Sequence, residues 1–203
     1  MKRVLDIVLG SLALIITAPI MIGTAVVVWA AMGRPVLFTQ RRVGWRERIF
    51  TVYKFRTMRG ESVPGREALD DEERVTRVGA LLRRLSIDEL PQLWNVLRGD
   101  MSLVGPRPLL VEYLRVYSPA QRRRHDVRPG MTGLAQVSGR NATTWDDRLA
   151  LDTWYADHHT LGLDLRIMGR TILHIVRVGR QAADGHRPMP RFDHQVGDAD
   201  RPV

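Results

Sequence analysis

The stretch "RRLSIDELPQL", residues 83–93, sets two carboxylates side by side, Asp88 and Glu89, with Arg83 and Arg84 upstream and Pro91 two residues on. Adjacent acids repel each other, and positive charge nearby offsets that repulsion. Arg98, Asp100 and "GPRP", residues 105–108, follow, and two prolines stiffen the exposed loop expected around Arg107. These are the components of a phosphate site: acids hold Mg²⁺, and Mg²⁺ and arginines hold phosphate oxygens. Such a site suits phosphoryl transfer, where positioning and charge neutralisation do most of the catalysis and a carboxylate can serve as covalent nucleophile. Two acids at a helix start also serve simply as a cap and as partners of the helix dipole, a reading the pair alone does not exclude. Competing chemistries lack parts. There is no cysteine, and GxxxxGK[ST], HExxH and GxSxG are absent.

The pair must be held by its neighbours. Pro91 restricts Leu90 and suits a first helical turn, which predicts a helix from 91 to 97 stopped by Gly99. Ser86 and Glu89 also match a capping box, which would start the helix earlier. Either way the acids lie at a helix N-terminus, where free amides and the macrodipole favour negative charge. Upstream, residues 70–85 read as a helix with Val75, Val78, Leu81, Leu82 and Leu85 as its apolar stripe. "PVLFTQRRVGWRERIFTVYKF" reads as a β-hairpin turning at Gly44.

Residues 7–33 carry no charge; Lys2, Arg3 and Asp6 precede them and Arg34 closes them. That length fits a membrane segment and exceeds the usual apolar run of a cleaved leader. One straight helix of it reaches about 40 Å against a core of about 30 Å, whereas half reaches only about 20 Å. Pro19, at the midpoint, either kinks a spanning helix or breaks it into a hairpin that returns to its starting leaflet. Arginines and lysines on both flanks favour the hairpin by the positive-inside rule, without deciding it.

Further along, a short helix is expected at Ser118 and Pro119, then the glycine-rich loop "RPGMTGLAQVSGRN", then helices over 144–158 and 163–179. On the last, Arg166, Arg170, Arg177 and Arg180 share one face, as on a helix lying along anionic headgroups or one packed on the domain. Residues 181–203 are polar and expected to be disordered, and His186 and His194 in that tail carry no metal reading. The formal charge is +9 in 203 residues, with Lys only at positions 2 and 54 against 29 Arg. Codon bias explains such a skew as well as ligand binding does. The charge suits nucleic acid, an anionic membrane or phosphorylated substrates; no nucleic-acid module supports the first. A non-catalytic membrane adaptor that binds anionic lipid is the other reading.

The chain resembles the bacterial sugar transferase family, the small monotopic phosphoglycosyl transferases. The blocks that carry this, in order over residues 2–178, are "KRVLDIVLGSLALIITAPI", "PVLFTQRRVG", "YKFRTM", "SIDELPQLWNVLRGDMSLVGPRPLL", "RHDVRPGMTGLAQVSGRN" and "DTWYADHHTLGLDLRIMGRTI". The resemblance implies a re-entrant membrane helix-break-helix over 1–34 broken at Pro19, with both ends on the cytoplasmic face of the inner membrane. Ala18 stands where the family often has a serine. A compact catalytic domain over 35–180, mainly α with a small β-hairpin and amphipathic interfacial helices, would contact membrane phospholipids.

The implied reaction transfers a sugar 1-phosphate from a UDP-sugar to a polyprenol phosphate (undecaprenyl phosphate) and releases UMP. Asp88 would be the nucleophile, with Glu89 helping to hold Mg²⁺ beside it. Arg83 and Arg107 would meet phosphate oxygens, and Arg128 and Arg140 the nucleotide side. No nucleic acid is implied, and a homodimer is left open.

Overall fold

A computed structural model describes residues 1–60, 74–138 and 144–180, so the expected tail over 181–203 and Arg140 lie outside the described residues. The chain is mainly helical with two small sheets, and it starts with α1, Lys2–Met32. This helix is long and apolar enough to cross a membrane. Helix α1 includes Pro19 and is helical on both sides of it. Pro19 leaves the Ile15 carbonyl without its ladder N–H, and two residues earlier Thr17 Oγ1 donates to Ala13 O at 2.7 Å. Ile7, Val8, Leu12, Ile15, Ile16, Ile22 and Val26 stay exposed on α1, while Asp6, Gly10, Thr24 and Val28 form a stripe turned to the rest of the protein.

Strands β1, Leu37–Val43, and β2, Ile49–Phe55, form the expected antiparallel hairpin in the register Leu37 opposite Phe55. Strict alternation of burial fails on β2, for Val52 and Phe55 point to opposite faces and are both buried. Phe55 packs with Val28 of α1 and with Leu82. Of the helix expected over 70–85, residues 70–73 lie outside the described residues, Val75 bridges to Met58, and α2, Arg77–Arg84, starts at Thr76, which in extended backbone caps it by accepting from Gly79 N at 2.9 Å. Its expected stripe is corrected at Leu81, which is exposed.

Helix α3, Gln92–Arg98, starts after Pro91 and ends at Gly99 in the left-handed region, as the sequence predicts. Strand β3, Ser102–Val104, pairs in parallel with β4, Gly130–Thr132. This second sheet is a correction to a fold expected to hold only one hairpin. It depends on close backbone approach, since a Cβ on Gly130 would lie 2.1 Å from Gly105 N. Helices α4, Pro119–Arg122, and α6, Trp145–His158, carry capping boxes from Ser118 and Thr144; α5, Leu134–Ser138, lies between them. Helix α7, Leu161–Arg180, buries Asp164 and Ile167 and exposes Leu165, Arg166, Arg170, Ile172 and Leu173. Arg166 and Arg170 thus lie exposed beside exposed aliphatic residues, an arrangement open to both expected readings of this helix, while the side chains of Arg177 and Arg180 lie outside the described residues.

Candidate active site

The acids occupy a 3-10 turn of their own, Ile87–Glu89, between α2 and α3. Ser86 enters it in the left-handed region (φ 56°) and makes no side-chain cap, so the expected capping box is absent. A non-glycine residue pays about 1 kcal/mol or more for that conformation. The bend separates the acids: Asp88 is 8 % exposed, and Glu89 faces the hairpin.

Glu89 Oε1 accepts from Lys54 Nζ and from an Arg107 guanidinium nitrogen, both at 2.7 Å. Burial alone would raise its carboxyl, but Arg107 and Lys54 outweigh burial and hold it far below the usual carboxylate range. No described residue hydrogen-bonds the Asp88 carboxyl. Burial, and then the charge of Glu89, push Asp88 up to about 6, while Lys54, Arg83 and Arg107 pull the other way. The two neighbours are thus driven in opposite directions, one clamped as an anion and one left with a basic carboxylate. Divergent pKa values in adjacent acids are the usual mark of divided roles.

The cations are positioned by the surrounding frame. Lys54 lies on β2, whose outer edge is held by buried Asn95 of α3: Nδ2 donates to Thr51 O at 2.7 Å and Oδ1 accepts from Tyr53 N at 3.3 Å. Arg83, in the last turn of α2, donates through Nε to Thr57 Oγ1 at 2.9 Å and keeps its charge near Asp88. The Arg107 carbonyl accepts from Arg124 at 2.7 Å, and Arg124 is itself paired with buried Asp152 at 2.6 Å. Arg107 folds onto Glu89 while its side chain stays 43 % exposed.

Asp88, Glu89, Arg83 and Arg107 therefore come together. Arg128 contacts elsewhere: it donates to Gly99 O at 2.9 Å, past the far end of α3, and lies over the Trp45 ring. Arg98 and Asp100 pair with each other at 3.5 Å at that same end. Sequence reasoning passed over Lys54, Asn95, Arg124 and Asp152. One signal for Lys54 was present, a lysine kept in a chain that otherwise uses arginine.

A clamped carboxylate beside a basic one, ringed by cations, can bind phosphate and attack it. Comparison with known proteins agrees with that chemistry. The model of the bacterial sugar transferase family matches residues 1–178. An uncharacterized sugar transferase, EpsL, of Bacillus subtilis is 49 % identical over 172 residues, 85 % of this chain and 85 % of its own. The UDP-glucose:undecaprenyl-phosphate glucose-1-phosphate transferase of Caulobacter vibrioides is 43 % identical over 181 residues, 84 % of this chain and 68 % of its own. The undecaprenyl-phosphate galactose phosphotransferase of Salmonella typhimurium is 38 % identical over 197 residues, and the match spans 87 % of this chain but 40 % of that protein. This chain belongs to the bacterial sugar transferase family and is an enzyme of the phosphoglycosyl transferase kind.

Proposed function

We propose that this protein transfers a sugar 1-phosphate from a UDP-sugar to undecaprenyl phosphate and releases UMP, through an aspartyl phosphosugar intermediate on Asp88. The observation that carries the reading is the unequal acid pair, Glu89 fixed by two cations and Asp88 raised to about 6 with no hydrogen bond from a described residue. At neutral pH Asp88 is mostly ionised and more basic than an ordinary aspartate, which favours nucleophilic attack. An Asp88 oxygen attacks the sugar-proximal phosphorus; a bond to that phosphorus forms as the bridging bond to UMP breaks. The phosphate oxygen of the lipid acceptor then attacks the same phosphorus and returns Asp88 as carboxylate. Arg83 and Arg107 meet phosphate oxygens, and the nucleotide side is assigned to the 128–140 segment, where Arg128 is the described basic residue.

Mg²⁺ fits the donor set. Glu89 engages its two cations through Oε1, and no cluster of three or more acidic or histidine ligands occurs among the described residues. Asp88 and Glu89 would hold the ion, with substrate phosphates and water completing its shell. It supplies charge neutralisation on the diphosphate.

The membrane segment is proposed to be re-entrant at the cytoplasmic face of the inner membrane. Both ends of α1 are fastened to one domain, which supports that reading. Arg3 donates to Val96 O and Leu97 O, and Asp6 accepts from Ser102 and Leu103 N; at the other end Arg59 donates to Ala31 O. A full crossing would carry the ends to opposite faces, about 30 Å apart. Because the chain lacks cysteine, single cysteines at positions 1 and 34 report this directly. Labelling of both from the cytoplasmic side is expected, and labelling from opposite sides rejects re-entry.

The activity is tested with the full chain in nanodiscs, with Mg²⁺, a panel of UDP-sugars and undecaprenyl phosphate. UMP release is expected with at least one sugar, and EDTA and Asp88→Asn are each expected to abolish it. UMP release that survives Asp88→Asn rejects the nucleophile.

A further inference from the structure

A fourth cation stands near Glu89 and Arg107. Arg42 lies on β1, where the strand's outer edge meets the segment after Arg107: Val43 N donates to Leu109 O at 3.2 Å, and Arg42 bridges to Leu110. Its half-buried guanidinium donates to Gln40 Oε1 at 2.6 Å and to Pro108 O at 3.4 Å. Arg107, Glu89, Tyr113 and Tyr117 are its electrostatic neighbours, and burial together with the Arg107 charge pushes it down to about 10.

Every hydrogen-bond partner of Arg42 among the described residues is neutral. Arg107, Arg122 and Arg124, by contrast, each have a carboxylate within 2.9 Å. Glu89, the one acid near Arg42, is already shared by Lys54 and Arg107. Placing a second, half-buried guanidinium beside Arg107 without its own counter-anion is unfavourable until an anion arrives. Lys54, Arg83 and Arg107 act on Asp88, and Arg107 and Glu89 act on Arg42, so four cations stand around two carboxylates, an excess of two positive charges. A guanidinium with unused N–H groups is also shaped for phosphate.

We infer that Arg42 binds a substrate phosphate and forms with Arg107 a two-guanidinium clamp on the phosphoryl group presented to Asp88. The inference rests on the reading of this site as a phosphoglycosyl transferase centre and adds a binding residue to it. The donor diphosphate and the acceptor monophosphate offer the same chemistry, and the test separates them.

The full chain in nanodiscs is assayed for UMP release while UDP-sugar and undecaprenyl phosphate are varied in turn, for wild type, Arg42→Gln, Arg42→Lys and Arg41→Gln. Arg41 is the exposed neighbour on the same strand. Arg42→Gln is expected to raise the KM of one phosphate substrate about 10–100-fold, as loss of charge-assisted hydrogen bonds predicts. Arg42→Lys recovers part of that and Arg41→Gln changes neither KM. A rise for UDP-sugar assigns the clamp to the donor, and a rise for the lipid assigns it to the acceptor. Unchanged KM values for both substrates in Arg42→Gln overturn the inference.

Should Arg42→Gln fail to fold, phenylglyoxal modification of the wild-type protein, mapped by mass spectrometry, decides the matter. Inorganic pyrophosphate or undecaprenyl phosphate is expected to protect Arg42, and equal reactivity with and without both overturns the inference. Failure of wild type to release UMP from any sugar rejects the proposed reaction instead, while the protection experiment still reports on Arg42.

Discussion

The two lysines of this chain sit in two partly buried ionic clusters, and the clusters differ in charge balance. Lys2, at the start of α1, meets Asp164 at 2.5 Å, the Tyr155 hydroxyl at 3.2 Å and Val104 O at 3.0 Å: one cation, one anion and neutral oxygens. Lys54, on β2, shares Glu89 with Arg107, and Arg83 and Arg42 stand close by. The first cluster is complete in the protein alone, and it bolts the long apolar helix α1 to the domain. The second holds more positive charge than the protein neutralises, which is what a site awaiting an anion requires. Charge balance, more than burial, separates the structural cluster from the functional one.

Four predictions can break or sharpen this contrast. The largest effect is expected from Lys54→Met, which leaves Glu89 to Arg107 alone and removes a cation from the phosphate site. Its kcat/KM for UMP release should fall about 10³-fold, the scale of lost electrostatic stabilisation at a reacting group. A fall of less than tenfold would put Lys54 on the structural side.

Lys2→Met is the converse. It strands buried Asp164, so urea or thermal unfolding should show a loss of about 3–5 kcal/mol, while kcat of the folded fraction stays within about threefold. A collapse of kcat at full occupancy of the fold would erase the distinction.

Acid should divide the two carboxylates of the second cluster. Asp88 is raised from 3.8 to about 6, so the native state holds a proton there that the unfolded chain has lost. Its contribution to stability is therefore greatest below about 4 and declines as pH rises to about 6, whereas reactivity rises over the same window. Glu89 is depressed, so its stabilisation is present above its unfolded value of 4.5 and is lost as pH falls below it. The rate of UMP release under kcat/KM conditions should drop about tenfold per pH unit below about 6. A flat profile down to pH 5 contradicts the raised Asp88.

The smallest effect belongs to the frame. Asn95→Ala unties the β2 edge and should cost about 1–3 kcal/mol in unfolding, with a several-fold fall in kcat as Lys54 loosens.

Local chemistry was legible in the sequence wherever one residue type decides it. Ser118 and Thr144 cap their helices, Gly99 ends α3, and Pro91 starts it. The acid pair was visible because two adjacent carboxylates need a reason. Less legible was anything that depends on which of many like residues turns inward. In "QRRRHDV" only Arg124 pairs with Asp152 inside, and in "QRRV" Arg42 turns in while Arg41 stays exposed.

Two short segments 28 residues apart pair as β3 and β4, and three-residue strands leave no period to read. At Pro19 a missing N–H weakens the helix without obliging it to end, so the residue type alone does not tell a kinked span from a hairpin. The retained lysines were a usable signal. In a composition skewed so far to arginine, a lysine marks a place where a compact ammonium fits and a planar fork does not.

The most direct measurement is the mass of the peptide containing residue 88 after the wild-type protein is incubated with Mg²⁺ and its UDP-sugar in the absence of lipid acceptor. The account predicts a gain of one sugar phosphate on Asp88, matched by about one equivalent of UMP and discharged when undecaprenyl phosphate is added. UMP that forms only after acceptor is present, with residue 88 unmodified throughout, contradicts it.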